Sequence, residues 1–252
     1  DAAYRQMLEQ IRQRPAHMAS THHIDMRQRL FFGLQPGNGI VAVGLAHLRQ
    51  RHFHPSAAAL ADFRARLRDD IILVVDAAYA EYVSRNDYTA GLELVSSHDN
   101  VVMLRTFSKI HGLAGMRLGW GYMPAGIIEV LHRTRGPFNV GLVSQIAGAE
   151  SIRDTAHIDA ARTHNDIWLP KVRDALIAAG LDVPESVGNF LLARFPGGAE
   201  EADRANAYLM SRGIIVRAMG GYGLAESLRI TIGTEEDNLA VIEAIQAFRK
   251  NP

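Results

Sequence analysis

Apolar residues recur with a regular spacing only from about residue 55 onward. Continuous aliphatic runs at 71–79 and 100–108 predict strands that are buried on both faces, as in a parallel sheet. The other predicted strands are 118–123, 189–195, 214–219 and 227–233. The predicted helices are 57–67, 90–98, 124–135, 200–213 and 235–249, with a long helical stretch from 136 to about 179 that is interrupted near Pro170. Strands that alternate with helices indicate an α/β chain with a largely parallel sheet.

The first 54 residues lack this alternation and are rich in arginine, glutamine and histidine. The pattern suggests a helix at 1–13 and a strand, IVAVGL, within 31–48. The segment GLQPGNGIV (33–41) has two interpretations, a phosphate-binding loop or a turn. The turn is favoured because its glycines match no phosphate-binding fingerprint. Four histidines, His22, His23, His52 and His54, have no known metal-ligand spacing, so exposed histidines are favoured and no metal is expected.

The composition of the chain limits the classes of partner that it is expected to bind. The 252 residues include 27 Lys+Arg and 27 Asp+Glu, so the formal net charge is zero and neither a nucleic-acid nor a membrane partner is expected. No apolar run approaches the ~20 residues of a membrane helix. The chain contains no cysteine, and its N-terminus lacks the apolar core of a signal peptide. A cytoplasmic location is the resulting expectation.

Two candidate residues follow the first buried strand. Asp76 ends the run IILVV, at the edge of the sheet where ligands of open α/β sheets bind. A partly desolvated carboxylate there needs a cationic partner, although a turn or helix-capping aspartate explains its position equally well. Tyr79, three residues on, has a phenol that can hydrogen-bond a ligand oxygen, but taken alone it is more simply a packed tyrosine.

The second buried strand ends beside a richer group. Lys109 follows Thr106 and Ser108 and precedes Arg117 in the segment LRTFSKIHGLAGMRLGW. Hydroxyls and a guanidinium suit a phosphate dianion, and an enclosed lysine amine suits a nucleophile that forms a Schiff base. The alternative is a surface lysine that ends a strand, which is less consistent with this combination of neighbours.

The chain carries four motifs of a known family, in the family's order and spacing: VVDAAYAEYV, RTFSKIHGLAGMRLGWGY, VGNFLLARF and LRITIGTEEDN. They resemble the fold-type I aminotransferases that depend on pyridoxal 5′-phosphate (PLP), and most closely the histidinol-phosphate aminotransferase branch. The resemblance covers about residues 55–252. It implies the aspartate aminotransferase fold, an α/β architecture with a mostly parallel sheet in a large domain and a smaller C-terminal α/β domain.

The resemblance also implies a division of the chain. It predicts an atypical N-terminal segment at 1–54, the remainder of the large PLP-binding domain at 55–135, a linking helix at 136–164 and a small domain at 165–252. The family's first half of the large domain, with its phosphate loop, its stacking aromatic and an N-P-T-G-like segment, is not recognisable here. One hypothesis is therefore a shortened member with a rebuilt or damaged cofactor pocket.

By resemblance, Lys109 carries PLP as a Schiff base and then acts as general base and acid. Asp76 pairs with the protonated pyridine nitrogen, and Tyr79 hydrogen-bonds the 3′-oxygen. The expected phosphate ligands are Thr106, Ser108 and Arg117.

Two further positions match the substrate site of the family. Arg229 matches the arginine that holds a substrate carboxylate, although taken alone it would be a strand arginine that faces solvent. Asn189 matches a position near the substrate. Phe138 and Asn139 are expected near the active site without an assigned role.

The implied function is transfer of an amino group between histidinol phosphate and 2-oxoglutarate, in histidine biosynthesis, by a homodimer. The alternatives are an aromatic amino acid aminotransferase, or a catalytically impaired PLP-binding or interaction protein. A phosphothreonine decarboxylase shares the same core.

Overall fold

The computed structural model describes residues 40–44, for the backbone, and residues 56–250. The described residues form two compact units, one of residues 40–44 and 56–159 and the other of residues 160–250. The predicted helix at 1–13, most of the segment 33–41 and the four grouped histidines lie outside the described residues. The domain boundaries drawn from the family resemblance remain predictions.

The first unit is built on a four-stranded sheet in the order β1-β2-β3-β4. Its strands are β1 (Ile40–Gly44), β2 (Ile72–Asp76), β3 (Val101–Thr106) and β4 (Gly119–Tyr122). The first three strands are parallel, whereas β4 pairs antiparallel with β3. Strands are therefore confirmed where the aliphatic runs predicted them, and the carboxyl ends of β2 and β3 lie at the same edge.

Four helices belong entirely to this unit: α1 (Ala57–Arg66), α2 (Leu92–Ser97), α3 (Ala125–Thr134) and α4 (Leu142–Arg153). Ser56 begins α1 as its N-cap, because its side-chain oxygen accepts a hydrogen bond from the Ala59 amide at 3.2 Å. Helix α4 packs against the segment that follows β3, since a Cβ at Gly148 would lie 2.3 Å from Leu118 Cδ2 and 3.6 Å from Phe107.

The long helical stretch is interrupted at a different residue from the predicted one. Helix α4 ends at Arg153, and α5 (Thr155–Ala178) begins after Asp154 and continues through Pro170. A proline inside a helix costs about 3 kcal/mol. Three large side chains around it, Trp168, Val172 and Leu176, are buried, and each contributes roughly 1.5–3 kcal/mol by burial. Packing therefore outweighs the proline, and the Pro170 prediction is wrong.

The second unit has a three-stranded antiparallel sheet in the order β5-β7-β6. Its remaining elements are β5 (Phe190–Arg194), α6 (Gly198–Met210), β6 (Arg217–Ala218), β7 (Ser227–Thr231) and α7 (Glu235–Lys250). Buried residues of both strands and helices, among them Leu191, Leu209, Leu228 and Ile245, form one core cluster. Within residues 40–44 and 56–250, no helix combines the length and apolarity needed to cross a lipid bilayer.

The tight approach of α4 to the segment after β3 predicts a specific loss of stability. Gly148→Val should lower the free energy of unfolding by about 1–3 kcal/mol, because the new side chain must displace Leu118, which is buried. Urea denaturation measures the change. The matched control is Gly126→Val in α3, where nothing lies within 4 Å of an added Cβ. Equal losses for both variants would show that the contact with Leu118 does not determine the change in stability.

Candidate active site

Asp76 is the last residue of β2 and lies between Gly44 of β1 and Leu104 of β3 in the sheet register. Its Oδ1 accepts a hydrogen bond from the Ala78 amide at 3.1 Å, so the turn interpretation of this residue describes part of its role. Burial raises the pKa of the Asp76 carboxyl above its usual value, and the Ala78 amide and the Lys109 charge oppose that shift without cancelling it. A further cation beside Asp76 would keep it ionised.

Lys109 lies in the turn that follows β3, at the same sheet edge as Asp76. The Gly112 amide donates to the Lys109 carbonyl at 2.9 Å, and the Leu113 amide donates to the Phe107 carbonyl at 3.0 Å. Lys109 Nζ lies 5.1 Å from the centroid of the Tyr79 ring. The fold therefore brings Tyr79 and Lys109 together and places Asp76 at the same sheet edge.

The hydroxyl and guanidinium groups near Lys109 belong to adjoining segments. The Ser108 amide donates to Thr106 Oγ1 at 3.1 Å, and Thr106 Oγ1 lies 3.5 Å from the Leu118 carbonyl. Arg117 precedes Leu118, and its Nη1 donates to the Ala114 carbonyl at 2.7 Å. Its φ of 50° lies in the left-handed region, which non-glycine residues adopt rarely and which is enriched at functional sites.

A buried ion pair connects the two segments that carry these residues, and the sequence analysis missed it. Arg105 Nε lies 3.4 Å from Glu81 Oε1, and the two side chains are only 8% and 9% exposed. The Arg105 guanidinium also lies 5.8 Å from the Trp120 ring centroid. Glu81 follows Tyr79 by two residues and Arg105 precedes Thr106, so the pair links both halves of the site. A charged residue inside the apolar run NVVMLRTF was the available signal.

Arg229 lies on β7 in the second unit and is not the solvent-facing arginine that its position alone suggested. Its Nε is buried without a hydrogen-bond partner among the described residues, and its guanidinium carbon lies 5.3 Å from the Phe190 ring centroid. Asn189, just before β5, accepts a hydrogen bond from the Ile232 amide at 2.8 Å. The second unit thus places Asn189 at the start of β5 and Arg229 on the neighbouring strand β7.

A second arginine, Arg217, lies directly opposite Arg229 in the pairing of β6 with β7. Directly opposed residues of antiparallel strands present their side chains on the same face of the sheet. The segment IIVRAM was predicted only as a strand, so this residue was missed. Among the residues with described side chains, no group of three or more histidine, aspartate and glutamate residues is arranged to hold a metal ion.

Comparison with known proteins gives the family of this chain. The aminotransferase class I and II family model matches residues 54–245. Histidinol-phosphate aminotransferase of Paramagnetospirillum magneticum is 53% identical over 193 residues, which cover 76% of this chain and 53% of the relative. That of Rhodospirillum rubrum is 56% identical over 186 residues, which cover 73% of this chain and 50% of the relative. The chain spans about half the length of the curated relatives it matches.

Solved structures show the same fold. A putative aminotransferase from Burkholderia pseudomallei has a TM-score of 0.70 at 28% identity, covering 83% of this chain and 61% of that one. Histidinol-phosphate aminotransferase from Sinorhizobium meliloti, solved with pyridoxal-5′-phosphate, has a TM-score of 0.76 at 23% identity, covering 84% and 57%. The predicted fold class is confirmed. Since the family model matches more than half of its residues, the chain belongs to the aminotransferase class I and II family.

Proposed function

We propose that this chain carries the PLP-binding and amino-transfer residues of a histidinol-phosphate:2-oxoglutarate aminotransferase. The observation that carries the proposal is the grouping of Lys109, Tyr79 and a partly buried Asp76 at one sheet edge. Identity above 50% to two histidinol-phosphate aminotransferases supports the substrate. The proposed acceptor, 2-oxoglutarate, and the proposed homodimeric state and cytoplasmic location come from the resemblance alone.

The residues at this edge fit PLP. Its ring, when bound, supplies an electron sink that depends on a protonated pyridine nitrogen. A buried carboxyl with a raised pKa is stabilised as a carboxylate by such a cation, which gives Asp76 its proposed partner. The Tyr79 phenol is the proposed donor to the 3′-oxygen of the ring. The proposed ligands of the cofactor phosphate are Thr106, Ser108 and Arg117.

Lys109 is the proposed catalytic residue. The chain has three lysines, and the other two, Lys171 and Lys250, are exposed, whereas Lys109 is partly buried. In the proposed role, Nζ would hold the cofactor, and as a free amine it would take a proton from the substrate α-carbon and return it.

Two arginines of the second unit are proposed to bind the anionic ends of the substrates. The buried Nε of Arg229 requires an acceptor, and a carboxylate provides one in a bidentate pair. Arg217 adds a second guanidinium on the same sheet face, which suits a dianionic phosphate or a second carboxylate. Asn189 is the proposed polar neighbour of the substrate.

A second candidate function is cofactor binding without turnover. The chain covers only 50–53% of the two histidinol-phosphate aminotransferases to which it is similar, so about half of each relative has no counterpart in the matched segment. Cofactor attachment alone is therefore compatible with both candidates, and amino transfer separates them.

The first prediction concerns Lys109. Borohydride reduction of the chain mixed with PLP, followed by peptide mass spectrometry, should locate the cofactor on Lys109. In a separate, unreduced sample, addition of L-glutamate or histidinol phosphate should remove the visible absorbance of the bound PLP, at a rate that Lys109→Ala lowers ~10²–10⁴-fold. Lys171→Ala is the matched control. Attachment to Lys109 without conversion would favour the second candidate function, and no attachment would contradict both.

The raised pKa of Asp76 predicts a conflict between stability and binding. The folded-state pKa lies above the unfolded value of 3.8, so the folding contribution of the carboxyl is fully present below that pH. It is lost as the pH rises through the folded-state pKa. Asp76→Asn keeps the oxygen that accepts the Ala78 amide but cannot ionise.

The apo form of Asp76→Asn should therefore have a higher Tm than the wild type at neutral pH. This difference in Tm should become smaller as the pH is lowered. The affinity of the variant for PLP should be lower than that of the wild type. Thermal unfolding at several pH values and a PLP titration measure the two effects. A variant that is less stable than the wild type at neutral pH, or that binds PLP equally well, would contradict the role of Asp76.

Arg229→Ala tests the substrate site. Loss of a charge-assisted pair costs about 1.5–3 kcal/mol, so kcat/KM for glutamate should fall roughly 10–100-fold, with little change in PLP affinity. Steady-state kinetics measure the loss, and Arg212→Ala, an exposed arginine of the same unit, is the control. Unchanged kinetics would remove Arg229 from the site.

A further inference from the structure

The turn that carries Lys109 is anchored on the side away from its amine. Phe107, Ile110 and His111 are 1%, 2% and 7% exposed, whereas Lys109 remains partly exposed. Helix α4 lies against Phe107 at Gly148, and Ile152 of α4 belongs to the same core cluster as Phe107. The turn therefore packs against α4 through its apolar residues and presents Lys109 outward.

Two side-chain hydrogen bonds fix the residues directly after Lys109. His157 of α5 bonds through Nε2 to the Ile110 carbonyl at 3.0 Å, and Ser151 of α4 bonds through Oγ to His111 Nδ1 at 3.0 Å. A carbonyl only accepts, so the His157 ring carries its proton on Nε2. His157 itself is fixed because its amide donates to Asp154 Oδ1 at 3.0 Å, in the first turn of α5.

These two hydrogen bonds help to determine where the Lys109 amine lies. The lysine side chain has several rotatable bonds. The position of Nζ is therefore defined only if the backbone of Lys109 is held in place. Two anchors of the turn thus lie on helices α4 and α5.

We propose that His157 and Ser151 are positioning residues that hold the Lys109 turn so that its Nζ faces Tyr79 and Asp76. The inference rests on the proposed function for its consequence in cofactor binding. It goes beyond that function because neither residue contacts the cofactor or the substrate in the proposed roles. His157 is an exposed residue, so its substitution leaves the core intact.

The test compares two substitutions of His157 in the full chain. His157→Gln keeps a side-chain N–H that can donate to the Ile110 carbonyl, whereas His157→Leu does not. Ser151→Ala removes the second anchor. His132→Leu, an exposed histidine of α3, is the matched control for loss of a surface imidazole.

The first readout needs no cofactor. A neutral acylating reagent modifies Lys109 and Lys171 in the apo chain, and mass spectrometry gives the ratio of their rates. His157→Leu should raise the relative rate at Lys109 about 3–10-fold, as expected for loss of one hydrogen bond. His157→Gln should stay within about 2-fold of the wild type, which is the smallest effect expected from a weakened bond.

The second readout is the bound form. His157→Leu should weaken PLP affinity about 10-fold and shift the pH midpoint of the visible band, and His157→Gln should restore both. Identical behaviour of the leucine and glutamine variants in the labelling ratio would overturn the proposal. If the wild type takes no PLP on Lys109, the proposed function fails, and the labelling ratio still decides whether these residues hold the turn.

Discussion

The parallel pairing of β2 with β3 is the constraint on which the rest of the first unit depends. Because both strands run in the same direction, Asp76 and the turn of Lys109 must lie at the same sheet edge. The pairing places a carboxyl in a partly buried position where desolvation raises its pKa, beside an amine. The cost of burying Asp76 is tolerated because strand pairing and the Ala78 amide fix its place.

Other polar contacts reinforce this edge from several directions. The buried pair of Glu81 and Arg105 connects the segment after β2 with β3. His157 of α5 and Ser151 of α4 form hydrogen bonds to the turn that carries Lys109. Buried ion pairs contribute little net stability, since desolvation offsets their attraction. The Glu81–Arg105 pair and the bonds from His157 and Ser151 lie on both sides of Lys109 and Tyr79. This arrangement indicates precise positioning of the site, which catalysis by orientation requires.

The sequence was sufficient for the strands and for the residues at their ends, because the aliphatic runs at β2 and β3 are long and the chemistry follows directly after them. It was insufficient where contacts between distant elements decide. The continuation of α5 through Pro170 depends on burial of Trp168 and its neighbours. The Glu81–Arg105 pair joins residues that are far apart in the sequence, and the alignment of Arg217 with Arg229 depends on sheet register, which periodicity does not encode.

The two units carry opposite unmet charges, and the ligands of the proposed function would meet both. In the first unit, burial raises the pKa of the Asp76 carboxyl, and a positively charged group beside it would lower that pKa. In the second, Arg229 has a buried Nε with no acceptor among the described residues, and Arg217 adds positive charge beside it. A protonated pyridine ring meets the first demand, and the carboxylate or phosphate of an amino donor meets the second. A binding protein for PLP alone requires only the first. The arginine pair is therefore the feature that favours amino transfer to and from an anionic substrate over simple cofactor binding.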